Sequence, residues 1–102
     1  MAESDVHLND IGTIFRVTAV EDDNVVDLSD QTELLIIFQK PDGIIVSKTA
    51  ALTGDGSDGQ FEYISVDGDI NQLGGWKIQG KITLPTWVGR TSTGQFEVTE
   101  NL

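Results

Sequence analysis

The sequence contains no cysteine, one histidine, two prolines and only six lysine and arginine residues among its 102 residues. Without cysteine, the chain can form no disulfide, no thiolate nucleophile and no cysteine-built zinc site. The single histidine, His7, lies in a predicted N-terminal arm, where a Ser-His-Asp triad would rest on a mobile base. We therefore predict a protein that is not an enzyme, with no catalytic residues, no bound metal and no cofactor.

Cations are scarce beside 17 aspartate and glutamate residues, which give a formal net charge of -11 and a pI near 4.1. Such a chain repels a phosphate backbone, so we expect no nucleic-acid partner. The acids are spread along the sequence, as on solvated strand faces and turns, although they could also meet a basic partner surface. No apolar stretch approaches the ~20 residues that span a bilayer, and residues 1–5 lack the features of a signal peptide. We expect a soluble protein with no membrane partner.

Hydrophobic residues alternate with polar ones in short segments that are separated by Gly, Asp and Asn. A period of two between turn residues is typical of β-strands in an antiparallel sandwich or barrel. The pattern predicts about seven strands, hence an all-β, immunoglobulin-like antiparallel β-sandwich. The predicted strands occupy residues 13–20, 25–28, 32–39, 44–53, 60–64, 76–84 and 94–99. We predict one domain over residues 11–102, preceded by an arm at residues 1–10.

The clearest turn is at residues 40–43, where Pro41, Asp42 and Gly43 supply a preset φ, a side-chain acceptor and a positive φ. It joins two apolar runs, residues 34–38 and 44–46, and so predicts a hairpin. The side chains that the strand pattern directs inward form the predicted core, which consists of Phe15, Val17, Leu34, Ile36, Phe38, Ile45, Phe61, Tyr63, Trp76, Ile78, Ile82, Phe96 and Val98.

Closely spaced carboxylates occur on glycine-rich backbone at residues 54–59 and 67–69, a feature shared with calcium loops. The spacing does not fit an EF-hand, so ordinary turn chemistry is the favoured interpretation and a bound cation the alternative. Trp87, next to Pro85 on a predicted loop, either caps the core or serves as an exposed recognition anchor.

Four segments together resemble a known family, namely residues 10–17 (DIGTIFRV), 36–43 (IIFQKPDG), 58–63 (DGQFEY) and 68–79 (GDINQLGGWKIQ). Their order and spacing are similar to those of small tailed-bacteriophage virion domains related to the N-terminal domain of baseplate upper proteins. The resemblance covers residues 6–98 and implies an immunoglobulin-like sandwich located in the virion. It implies a non-enzymatic structural protein that binds other phage structural proteins, either the major capsid protein or a tail or baseplate protein.

Family members of the baseplate type continue into further domains, which favours a capsid decoration (cement) or tail-accessory subunit for this chain. Such a subunit is expected as repeated copies or a homo-oligomer, with its arm ordering on a neighbouring subunit. The apolar runs exceed what one face of a small sandwich needs, so we predict an interface. Its candidate residues are Leu35, Ile37, Ile44, Val46 and Trp87. The alternative is a receptor- or carbohydrate-binding module of a tail fibre or baseplate, which would use Trp87 and the acidic loops.

Overall fold

A computed structural model describes residues 6–100 of the chain. All regular secondary structure in these residues is β-strand, so the predicted all-β class is confirmed. The strands are β1 (Val6–His7), β2 (Ile14–Thr18), β3 (Val20–Glu21), β4 (Asn24–Val25), β5 (Glu33–Gln39), β6 (Ile45–Thr49), β7 (Ala51–Leu52), β8 (Gln60–Ile64), β9 (Gly74–Leu84), β10 (Trp87–Arg90) and β11 (Gly94–Thr99).

The larger sheet has the order β1-β11-β9-β5-β6, and β10 also pairs with β9. Strand β9 is long enough to pair with three neighbours, because β11 and β10 occupy its two ends on one side while β5 runs along the other. In β9, Trp76, Ile78 and Ile82 alternate with polar residues. This alternation is typical of a strand with one face covered by the core and the other face open to solvent.

The smaller sheet consists of β2, β8 and β7, and a two-stranded ribbon of β3 and β4 stands apart from both sheets. Aromatic rings fill the space between the two larger layers: the ring centroid of Phe15 lies 5.0 Å from those of Phe38 and Phe96. Phe61 packs over Gly80, where an added Cβ would lie 2.5 Å from the Phe61 Cζ atom. A glycine in the middle of β9 therefore allows the close approach of the two sheets.

The buried hydrophobic core includes ten of the predicted residues, and Val17 and Tyr63 pack against it half-buried. Ile45 is a wrong core prediction, because its side chain is 64% exposed. The turn at residues 40–43 forms as predicted, but it pairs Ile45 with Gln39 and so directs Ile45 outward. The core also contains four residues that the prediction omits: Val6, Ala19, Leu28 and Ile70.

The described residues form eleven strands, more than the seven predicted, because two predicted strands are interrupted and because β1 and β10 form in the predicted arm and a predicted loop. The first predicted strand divides at Ala19, whose backbone N–H bonds to Gly59 and whose carbonyl accepts from Val26. Of the predicted strand at residues 25–28, only Val25 lies in a strand, β4, which begins one residue earlier at Asn24. The sandwich is also not wholly antiparallel, since β1 pairs with β11 in parallel.

Residues 1–5 of the predicted arm lie outside the described part of the chain. The predicted boundary at residue 10 is wrong, because residues 6–10 are part of the folded domain. Val6 is only 4% exposed and pairs with Val98, while the backbone N–H of Leu8 donates to the carbonyl of Thr99. The apolar Val6 side chain completes the core beside β11, so this segment belongs to the domain. His7 consequently stands on a strand, where its Nδ1 atom is 3.2 Å from Thr99 Oγ1.

Candidate interface on the larger sheet

The side of the larger sheet that points away from the core is a continuous surface, which we call the outer face. It comprises the outward side chains of β5, β6, β9, β10 and β11. Register places Leu35 opposite Lys81 and Ile37 opposite Gln79, while Ile37 also lies opposite Ser47 on β6. Apolar and polar side chains therefore alternate between neighbouring strands of this face.

Three of the six cations of the chain, Lys77, Lys81 and Arg90, lie on the outer face. Lys81 and Arg90 are direct cross-strand partners, and Lys77 is four residues from Lys81 on the same face of β9. Within residues 6–100, the salt bridges are Arg16–Glu62 and Lys48–Asp69, so these three cations form none. The acids of this face, Glu33 and Glu97, stand opposite Thr83 and Gly75 near the two ends of β9.

A shallow groove of about 740 Å³ runs across the outer face. Two of its lining residues are cations and none is a carboxylate, although the whole chain carries 17 acids. Amide and hydroxyl side chains beside apolar ones give the groove both hydrogen-bonding and hydrophobic surface. The lining residues are Ile37, Gln39, Ile45, Ser47, Lys77, Ile78, Gln79, Arg90, Thr93 and Gln95.

The structure does not bring the five predicted interface residues together. Leu35 and Ile37 are on the outer face and half-buried, and Ile44 is exposed just before β6. Val46 points to the opposite side of the sheet, because it pairs with the inward-facing Phe38. Trp87 is half-buried against the core, and its indole covers Gly89.

The predicted interface omits Ile45 and the three outer-face cations. Polar alternation along β9, with Lys77, Gln79 and Lys81 between apolar residues, is the signal that places the cations on one face. Arg90 could not be placed in this way, since its position depends on the pairing of β10 with the end of β9.

On the inner side, the two sheets leave a cleft of about 80 Å³ that opens at β6 and is lined by aromatic side chains. The Tyr63 hydroxyl donates to Asp69 Oδ2, and Lys48 Nζ lies 3.0 Å from Asp69 Oδ1. Burial acts to raise the pKa of Asp69, but the bonds from Tyr63, the Val66 backbone and Lys48 lower it overall. Burial, and then the adjacent Asp69 carboxylate, raise the pKa of Tyr63 to about 12.

The remaining cation, Lys40, lies at the margin of this cleft. Its ammonium is 3.1 Å from Asn71 Oδ1 and 5.9 Å from the centroid of the Trp76 ring. Both contacts satisfy the charge within the chain, because an ammonium is attracted by an amide oxygen and by an aromatic face. The cleft is therefore bordered by cations that already have partners.

The aspartates of the glycine-rich loop accept hydrogen bonds from nearby residues. Asp55 Oδ1 accepts from the hydroxyl and the backbone N–H of Ser57, which lower the pKa of Asp55. Asp58 Oδ1 accepts from the backbone N–H of Gln60. These i to i+2 contacts are those of Asx turns. Over residues 6–100, no group of three or more His, Asp or Glu side chains is arranged to hold a metal ion.

No protein-family model matches the sequence, and a search of curated proteins finds no match either. Among residues 6–100, no helix is long and apolar enough to cross a membrane.

Proposed function

We propose that the chain is a non-enzymatic structural protein whose function is to bind other proteins through its outer face. The observation that carries the proposal is the position of Lys81 and Arg90, which stand directly opposite each other with no acidic partner in the described chain. Like charges in that position destabilise a sheet. An acidic surface laid over this face would turn the repulsion into attraction.

Apolar side chains on the same face support a protein partner. Ile45 and Val88 are 64% and 61% exposed. Leu35 and Ile37, on β5 between Ile45 and the cations of β9, are half-buried. Covering such side chains stabilises a complex by about 25 cal/mol per Å² of apolar surface, before the entropy cost of association. Apolar residues beside an arginine support a binding patch, since arginine is enriched at protein interfaces.

The sequence resemblance gives the biological setting of this proposal. The protein is a subunit of a tailed-phage virion with an immunoglobulin-like fold, either a capsid decoration (cement) protein or a tail accessory, and it stabilises the particle through repeated contacts. Trp87 gives little support to the alternative of a carbohydrate-binding module. Its ring packs over Gly89 instead of presenting a free stacking surface.

The direct test is co-sedimentation of the purified protein with particles of a phage that encodes it, prepared without this subunit. We expect binding at a fixed copy number, weakened at least tenfold by K77E/R90E. The control D67K/E100K changes the net charge by the same amount with the opposite sign, at two exposed acids, and should bind as the unchanged protein does. Failure of the unchanged protein to bind the particles would contradict the virion assignment. Glycan binding that Trp87→Ala abolishes would instead support the alternative.

A further inference from the structure

The ribbon of β3 and β4 is an acidic hairpin separate from both sheets. Its two-residue turn places Asp22 and Asp23 at φ of 51° and 64°, and the Asn24 side chain donates to the Asp22 carbonyl. Left-handed conformations at both turn residues are typical of a type I′ hairpin. Its pairs are Val20 with Val25 and Glu21 with Asn24, so three acids surround the tip.

The hairpin also carries two valine side chains that the described chain covers only in part. Val20 and Val25 are direct cross-strand partners, and they are 53% and 52% exposed. An isolated two-stranded ribbon is only marginally stable in water, so burying this pair on another surface would stabilise it. The hairpin therefore combines one apolar pair with an acidic tip.

The groove of the outer face has the complementary composition. Ile37 and Ile45 provide apolar surface, Lys77 and Arg90 provide positive charge, and no carboxylate lines it. The hairpin adjoins the smaller-sheet side of the molecule, where the Val25 side chain packs against Gly59 and the backbone N–H of Ala19, just before the hairpin, donates to the Gly59 carbonyl. Hairpin and groove are thus different surfaces of one copy.

We propose that the hairpin of one copy docks into the outer-face groove of a second copy. The tip acids pair with Lys77 and Arg90, while Val20 and Val25 cover Ile37 and Ile45. Because the two surfaces differ, the contact is head-to-tail and repeats from copy to copy into a ring or an open chain. The inference rests on the proposed function and names a second copy as the partner of the outer face.

Charge variants of the hairpin tip and of the groove test the contact in sedimentation velocity runs from about 1 μM to about 1 mM protein, the range of weak specific association. The tip variant is E21K/D22N/D23N, in which asparagine keeps the turn conformation. The groove variant is K77E/R90E. The unchanged protein should associate with increasing concentration, each variant alone should remain monomeric, and D67K/E100K should behave as the unchanged protein.

Two further samples distinguish a head-to-tail contact from general charge effects. The tip variant retains a native groove and the groove variant retains a native hairpin, and the two altered surfaces are opposite in charge, so their mixture should associate although neither variant associates alone. Combining all five substitutions in one chain restores the original net charge and reverses both surfaces, which should recover association. Circular dichroism of each variant verifies the fold.

A monomeric unchanged protein over the whole range would overturn the inference, as would association that neither variant weakens. These outcomes leave the virion assignment separately testable, since a monomer that still binds particles at a fixed copy number contradicts only the contact between copies. Self-association without particle binding would support the contact between copies and contradict the virion assignment.

Discussion

The six cations of the chain divide into two groups of three that differ in their partners. Arg16, Lys40 and Lys48 each contact a group of the same chain: a glutamate, an amide with an aromatic ring, and an aspartate. Lys77, Lys81 and Arg90 share the outer face and form no salt bridge within residues 6–100. The first group contributes to the fold, whereas we propose that the second supplies charge to a partner surface. The following substitutions test this division.

The largest effect is expected in the core between the sheets. Phe61→Ala should lower the free energy of unfolding by about 3–5 kcal/mol, because Phe61 is fully buried and its ring fills the space over Gly80. Ile45→Ala on the outer face should change it by less than about 0.5 kcal/mol. Urea denaturation monitored by tryptophan fluorescence measures both values. Equal losses would mean that the outer face is part of the core.

A smaller loss is expected at the margin of the cleft. Asp69→Asn should lower the free energy of unfolding by about 1–2 kcal/mol, since it weakens the bonds from Lys48 and Tyr63. Lys77→Gln, which breaks no ion pair in the described chain, serves as the matched control and should leave stability unchanged. If both substitutions had the same effect, the two groups of cations would not differ in their role.

Alkaline pH should lower the free energy of unfolding through Tyr63, at the same margin of the cleft, by a smaller amount. Tyr63 has its pKa raised from 10.0 to about 12 in the folded protein, so the unfolded chain loses this proton first. The protonated Tyr63 hydroxyl therefore contributes fully to the free energy of unfolding below pH 10, and this contribution is lost as the pH rises towards 12. Tyr63→Phe should reduce the slope of stability against pH in that window. An unchanged slope in thermal melts would contradict the raised pKa.

The smallest effect should have the opposite sign. Arg90→Glu replaces a like-charge pair with an opposite-charge pair beside Lys81, and we expect it to raise the free energy of unfolding by about 0.2–1 kcal/mol at low salt. The same substitution at Lys40 should give no such gain, since Lys40 already has partners. A loss of stability in Arg90→Glu would show that Arg90 has a favourable contact within the chain.

Local alternation made the central part of the fold predictable. Strand β9 alternates apolar and polar residues over most of its length, so its inward residues Trp76, Ile78 and Ile82 follow directly from the sequence. The turn at residues 40–43 was equally clear, since its residues match the required backbone conformations. The partners of each strand were not predictable from alternation, which contains no information on pairing.

The structure separates the five predicted interface residues where one residue of register decides which face a side chain is on. Ile45 and Val46 are neighbours of similar character, and the pairing of Gln39 with Ile45 sends the first outward and the second into the cleft. Trp87 was equally ambiguous, because only its packing over Gly89 shows that it is partly covered. The outer face is defined by the joint position of residues from five strands, which no single segment reveals.

The parallel pairing of β1 with β11 has a mechanical consequence. Val6 lies opposite Val98 and His7 opposite Thr99, so the first and last described strands run side by side in the same direction. A force that pulls the two ends of the chain apart slides these strands past each other, loading their hydrogen bonds in shear instead of opening them one at a time. Tension along the chain would therefore load the hydrogen bonds between β1 and β11 first, while the core between the sheets is still packed.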